Sequence, residues 1–383
     1  MSEALLQPNG IGTLKRINIP RRGSWHTTFF WSFLYLRRFF LSSSNSFSSV
    51  LGSLDPRHLV GRAPPITPPW TDFPAGPQVW DFPPNAKDAN RVLEKGQDRA
   101  FGQWKNEESG WVMTTVSPPA GSPAPQRTIL YFHGSGFQSP INGFHWGFSS
   151  YLSLRLDAEV VVVPYPLGPN NPGPQWRPAL LSVYREFVDR AGDKEIILAG
   201  DSAGGTIVLG LIYDLHATNL PLPHQLVAIS PPTDLASSNR PAMLEIEPYD
   251  PMLTVAYIDL ALRIYAGVPV PSSIARAERT YTIPMPSEIA SQAAYSPLAG
   301  NPAILHDAGT KVIVVNGEWD VLYPDVEACV AKLAEAEVDV TYIVGEKQIH
   351  VFPVLVGIMG ECTTAAEVLV MAILKNGEDF HRK

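Results

Sequence analysis

The chain has 383 residues, of which 45% are apolar and only 17% charged, with a net charge of −8. That acidic balance argues against nucleic acid as a partner, and the length suits one large domain with insertions or two modest ones. Two cysteines, Cys329 and Cys362, are too few for a disulfide framework and lack metal-type spacing, so both read as reduced and structural.

Charge is unevenly spread. No Asp or Glu occurs from Ala4 to Leu54, while Lys15, Arg16, Arg21, Arg22, Arg37 and Arg38 all fall there. The apolar aromatic run Phe29 to Leu36 lies inside this stretch and is cut off by Arg37-Arg38. It is too short to span a bilayer, and no small-residue cleavage site follows it. A basic aromatic segment of this kind suits three settings: packed on the rest of the chain, laid on a membrane surface, or carried as a mitochondrial presequence. Residues 61–126 follow as a Pro-rich connector, with Pro64-Pro65, Pro68-Pro69 and Pro83-Pro84. Proline at that density excludes helix and central strand.

From Thr128 onward the pattern alternates. Apolar, β-branched runs at 128–132, 159–163, 195–199, 225–230, 311–315 and 338–344 read as strands covered on both faces. Helix-like stretches at 176–191, 203–216, 324–336 and 363–374 lie between or after them. Such alternation predicts a mostly parallel, doubly wound sheet. Residues 232–305 break the rhythm with no evident strand and a helix-like stretch at 252–265, which reads as an inserted cap.

Two loops in this frame carry chemistry. His133-Gly134-Ser135-Gly136-Phe137 follows the first strong strand. A glycine-rich loop there can aim backbone N–H groups at a developing oxyanion, and Gly134 and Ser135 are its candidate donors. His133 precedes the loop and reads as a brace for it. Gly200-Asp201-Ser202-Ala203-Gly204-Gly205 joins a strand directly to an apolar helix, the setting of a nucleophile elbow. Ser202 is its nucleophile, and the N–H of Ala203, at a helix N-terminus, is the third candidate oxyanion donor.

A serine needs a base. Only His350 and His381 lie beyond the strand at 311–315, and His381 falls in a polar tail, which leaves His350. Its orienting acid should end the strand at 311–315. Glu318, Asp320 and Asp325 compete there. Asp325 opens the next helix, and Asp320 best fits the turn.

These motifs resemble the hormone-sensitive-lipase-like branch of the α/β-hydrolases. His-Gly-Ser-Gly-Phe at 133–137 is similar to its oxyanion motif, Gly-Asp-Ser-Ala-Gly-Gly at 200–205 to its elbow, and Tyr165 to Pro169 to its Tyr-Arg-Leu-Ala-Pro segment. Asp250-Pro251-Met252-Leu253, Ser296-Pro297-Leu298, Asp320-Val321-Leu322 and His350-Val351-Phe352 fall at matching places. Ser135 departs from a family glycine and Pro166 from a family arginine. The resemblance implies an α/β-hydrolase fold, with an eight-stranded, mostly parallel doubly wound sheet and a helical cap. The domains are then 1–60 (basic aromatic segment), 61–126 (connector and first cap part), 127–231 (core), 232–305 (cap insertion) and 306–383 (core). It also implies hydrolysis of carboxylic esters with neither metal nor cofactor.

The expected substrate is an apolar small molecule, with Trp80, Phe82 and Trp104 as candidates to line its pocket. The expected location is cytoplasmic, with the N-terminal segment as the one membrane-surface contact. Two other readings stay open. The long aromatic N-terminus loosely resembles hydrolases of fungal natural-product pathways, where the same site would process or cyclise a polyketide–amino-acid intermediate. A non-catalytic binder on this fold is the other. Oligomeric state is not legible.

Overall fold

A computed structural model describes residues 3–5, 14–19, 99–119, 121–269, 284–357 and 360–377. The apolar run at 29–36, Trp80, Phe82, most of the Pro-rich connector and His381 lie outside the described residues.

One ten-stranded sheet organises the chain, in the order β1-β2-β10-β9-β8-β7-β5-β6-β4-β3. Its strands are β1 (Glu3–Leu5), β2 (Leu14–Ile19), β3 (Arg99–Lys105), β4 (Val112–Pro119), β5 (Arg127–Phe132), β6 (Ala158–Val163), β7 (Glu195–Asp201), β8 (Gln225–Ile229), β9 (Lys311–Gly317) and β10 (Val340–Gly345). The pairs β1/β2, β3/β4 and β4/β6 are antiparallel, and the other neighbours run parallel. The strands from β3 to β10 make the expected eight. Two more come from the N-terminal segment, which adds β2 to the β10 edge in register Leu14 with Val340. Residues 99–119, expected in the connector and cap, instead form the β3–β4 hairpin that closes the opposite edge.

Nine helices cover the sheet among the described residues: α1 (Gly143–Leu156), α2 (Gly173–Ala191), α3 (Ala203–Ala217), α4 (Arg240–Ile246), α5 (Val255–Ala266), α6 (Ser287–Ala290), α7 (Ala303–Ala308), α8 (Tyr323–Glu335) and α9 (Gly360–Gly377). Side chains alternate along each strand, so one strand feeds two cores. Leu198 of β7 joins Leu130, Val183, Ile207 and Val326 under α2, α3 and α8. Its neighbour Ile197 joins Ile129, Phe148, Ile313 and Leu369 under α1 and α9. Burial on both faces explains why the central strands carry continuous β-branched runs.

The central parallel strands share one direction, so their carboxyl ends form a single rim. Residues 232–305 leave this rim after β8 and hold α4, α5 and α6, with no strand among their described residues. Helix α5 has defined ends. Thr254 caps its start through a 3.1 Å bond from the Tyr257 N–H, and Gly267 ends it in the left-handed conformation, φ 71°.

Candidate active site

Ser202 stands between β7 and α3 with φ 50° and ψ −119°, a conformation that strains any L-residue. The turn is possible because its flanks have no room for side chains. A Cβ on Gly204 would sit 1.9 Å from the Phe132 carbonyl oxygen, and one on Gly200 2.4 Å from the carbonyl of Gly204. The Ser202 N–H donates to Ile229 O at 2.7 Å, which ties the strained residue to β8.

The structure brings the three predicted side chains together. His350 Nε2 lies 2.8 Å from Ser202 Oγ, and His350 Nδ1 lies 2.9 Å from Asp320 Oδ2. Asp320 follows β9, is fully buried, and its Oδ1 accepts the Leu322 N–H at 3.0 Å. Burial works to lower the His350 pKa, but Asp320, with help from Asp250 and Asp201, outweighs it and raises it above the ordinary 6.5. Glu318 is spent elsewhere: its Oε2 accepts the Lys347 N–H at 3.0 Å and so links two turns of the rim. Asp325 is buried at the start of α8 beside Asn239 Nδ2, 3.0 Å away, and burial pushes its carboxyl up to about 7.

Two groups to which the sequence reading gave no role in the site, Asp250 of the matching Asp-Pro-Met-Leu motif and Ser230, hold this arrangement. Asp250 is fully buried behind Asp320 and accepts the N–H groups of Val321 at 2.9 Å, Met252 at 2.7 Å and Leu253 at 2.9 Å. Burial, and then the Asp320 charge, push its carboxyl up to about 6. Ser230 Oγ accepts the Val351 N–H at 3.1 Å and donates to Asn316 Oδ1 at 3.0 Å. That bond steadies Val351, whose positive φ of 49° is costly for a β-branched residue.

The oxyanion loop departs from expectation at one position. The Gly134 N–H donates to Asp201 Oδ1 at 3.1 Å, so it is not available to an oxyanion, and its assignment as a donor is corrected. The reason is the elbow aspartate. Asp201 is buried and also receives the Tyr131 hydroxyl and His145 Nε2, the latter at 3.3 Å, so it fastens β5, the loop and α1 to β7. Burial works to raise the Asp201 carboxyl, but His145 and Tyr131 outweigh it and hold it below its usual value. No hydrogen bond engages the N–H of Ser135, Gly136 or Ala203 among the described residues. Ser135 has φ 81° and Gly136 φ 63°, a bend that only a glycine enters freely. His133 braces the loop. Its Nδ1 lies 2.9 Å from Gly134 O, its ring stacks on Tyr165 at 4.6 Å, and burial beside His145 lowers it to about 3.

Replacing Asp201 with Ala strips the acceptor from three buried donors. The expected result is a loss of about 2–4 kcal/mol in stability, read as a lower Tm together with slower ester turnover. A variant that matches the parent in both would show the network to be idle.

Trp104 does not line this site. It lies on β3 with the Arg190 guanidinium 4.6 Å above its ring. Arg190 ends α2, which leads into the start of β7, whereas Ser202 follows the end of that strand. The tryptophan therefore packs at the opposite end of the sheet.

A strand–elbow–helix serine at the carboxyl rim of a doubly wound sheet defines an α/β-hydrolase. The family model described as alpha/beta hydrolase fold matches residues 129–354, and the chain belongs to that family. Human hormone-sensitive lipase is 26% identical over 181 residues, 46% of this chain and 17% of its own length. Esterase LipU of Mycobacterium tuberculosis is 30% identical over 238 residues, 62% of this chain and 73% of its own. The chain spans less than half the length of several curated relatives it matches, the human lipase among them. A solved hormone-sensitive lipase from a metagenome library superposes with a TM-score of 0.61 at 20% identity, covering 76% of this chain and 93% of that one, a likeness of fold. Among the described residues, no helix is long and apolar enough to cross a membrane.

Proposed function

We propose that the chain is a serine carboxylesterase that cleaves esters of apolar small molecules through an acyl-enzyme. The observation that carries this reading is the continuous path from Ser202 through His350 to buried Asp320, with contacts of 2.8 and 2.9 Å. Ser202 Oγ attacks the ester carbonyl while His350 Nε2 takes its proton. Asp320 holds the Nδ1–H tautomer and stabilises the imidazolium. The N–H groups of Ser135 and Ala203 receive the oxyanion, with Gly136 as the amide that stands in for Gly134. His350 then returns the proton to the leaving alkoxide, and a water activated by the same ring releases the acid.

An apolar substrate is supported by what lines the rim. Tyr249 (52%) and Met252 (40%) flank Asp250 and are exposed, as is Phe144 (42%) at the start of α1. Tyr249 also stacks on Trp319, the neighbour of Asp320, at 5.8 Å. Exposed apolar side chains gathered beside a polar site favour a greasy ligand. A series of p-nitrophenyl esters of increasing acyl length tests this. Turnover that rises from acetate to a longer acyl group is expected. No turnover across the series, with no labelling by a fluorophosphonate, would overturn the proposal.

The pH profile follows from His350. The base must be neutral, and its pKa is raised in the folded protein. Activity should therefore be lost as pH falls through a value above 6.5, and regained as it rises. An acid limb centred below about 6, or no limb between roughly pH 5 and 8, would count against His350 as the base.

A further inference from the structure

Because Asp201 holds the Gly134 N–H, the loop offers an oxyanion only the N–H groups of Ser135 and Gly136. A side-chain donor stands beside Gly136. Tyr257 projects from α5 onto the loop, and a Cβ on Gly136 would meet its Oη at 2.1 Å and its ring carbon Cζ at 3.0 Å. The missing side chain of Gly136 is thus the space this phenol fills. Among the described residues nothing bonds the hydroxyl. The Tyr257 backbone N–H goes to the Thr254 cap, and burial alone acts on the phenol. A mostly desolvated hydroxyl without a protein partner is a group awaiting one from a ligand.

The helix that carries the phenol is also fastened to the loop. Phe137 of the same loop stacks on Tyr265 of α5 at 4.0 Å and 5°. The Tyr265 hydroxyl accepts from buried Arg177 of α2 at 2.6 Å, and Arg177 pairs with Asp214 of α3. The Phe137 carbonyl accepts the Gly168 N–H at 2.8 Å. Helix α5 and the loop therefore move as one piece, which is what a preorganised donor requires.

Building on the esterase proposal, we propose that Tyr257 is a substrate-contacting residue whose phenol donates a hydrogen bond to the ester carbonyl oxygen and, more strongly, to the oxyanion it becomes. Burial raises the phenol above its ordinary pKa, so it keeps its proton throughout the working range of His350. The cap then supplies charge stabilisation, and so sets rate as well as fit.

Tyr257→Phe is the test, because it keeps the ring on Gly136 and removes only the oxygen. On p-nitrophenyl butyrate, kcat should fall by about tenfold to a hundredfold, somewhat less than the loss of a main backbone donor. KM should stay within about twofold, and the inhibition constant of an alkylboronic acid should rise by the same factor as kcat falls. A thermal melt unchanged from the parent separates this from loosening of the cap. Unchanged kcat and boronate affinity would overturn the proposal, and so would a rise in KM alone, which places the contact in the ground state. Labelling of the parent at Ser202 by a fluorophosphonate keeps the two readings apart. If the parent labels and the Phe variant matches it in turnover, only the role of Tyr257 falls. If the parent neither labels nor turns over esters, both fall.

Discussion

Ser202→Ala should abolish ester turnover, with a loss on the order of 10⁶ in kcat, and should prevent labelling by a fluorophosphonate. The alanine removes the only atom that can form the acyl bond and leaves the rest of the site intact. The Ser202 N–H bond to Ile229, at 2.7 Å, is a backbone contact and survives the change. Stability should change little, because the half-buried hydroxyl gives up a single contact to His350 and alanine meets the same positive φ. Residual turnover of about 10³-fold over water would reflect the remaining amide donors. A variant that still hydrolyses p-nitrophenyl esters near the parental rate would mean that another nucleophile does the chemistry, and the site would have to be sought elsewhere.

Asp320→Asn should cost about 10⁴ in kcat with little change in KM. The carboxylate now accepts from Nδ1–H at 2.9 Å and leaves Nε2 free to take the serine proton. An asparagine amide that donates to Nδ1 forces the proton onto Nε2, and a ring in that state cannot act as base. The change has a second readout in Asp250. Its carboxyl stands at about 6 partly because Asp320 is charged beside it. Neutralising Asp320 removes that repulsion, so Asp250 should titrate lower in the variant, visible as a shift in its carboxyl signal by NMR. The His350 pKa should fall at the same time, because its main charge partner is gone. Parental kcat in the Asn variant would remove Asp320 from the mechanism.

The three side chains of this site were readable from their order along the chain. Each follows a strand whose unbroken β-branched run marks it as central, and a serine held in a glycine-flanked turn between such a strand and an apolar helix has its hydroxyl lifted above the sheet edge. Gly134 was misread because the partner of an N–H depends on where a carboxylate 67 residues away arrives. Asp201 sits inside the elbow motif, but nothing in the pattern says that its side chain turns back toward β5. Helix α1 left no periodic signal: Ser149, Ser150 and Ser153 share its buried face with Phe148 and Leu152, so no apolar stripe sets it apart. The β3–β4 hairpin was hidden because Gly102 on the edge strand β3 and Pro118-Pro119 at the end of β4 read as breaks, which a sheet margin tolerates. Strand β2 reads Leu-Lys-Arg-Ile-Asn-Ile, too charged for a central position and suited to a margin.

That margin has a consequence for how the molecule is made. Arg16 on β2 bonds the Tyr323 hydroxyl at 2.9 Å across 307 residues of chain, and β2 pairs along its length with β10, the last strand in chain order among the described residues. Strand β2 can therefore pair with β10 only after the long stretch of chain between them has left the ribosome. Closing so distant a seam is slow. Refolding from denaturant should thus show β2 docking as a late step, after the elbow and its neighbours have already acquired protection from hydrogen exchange.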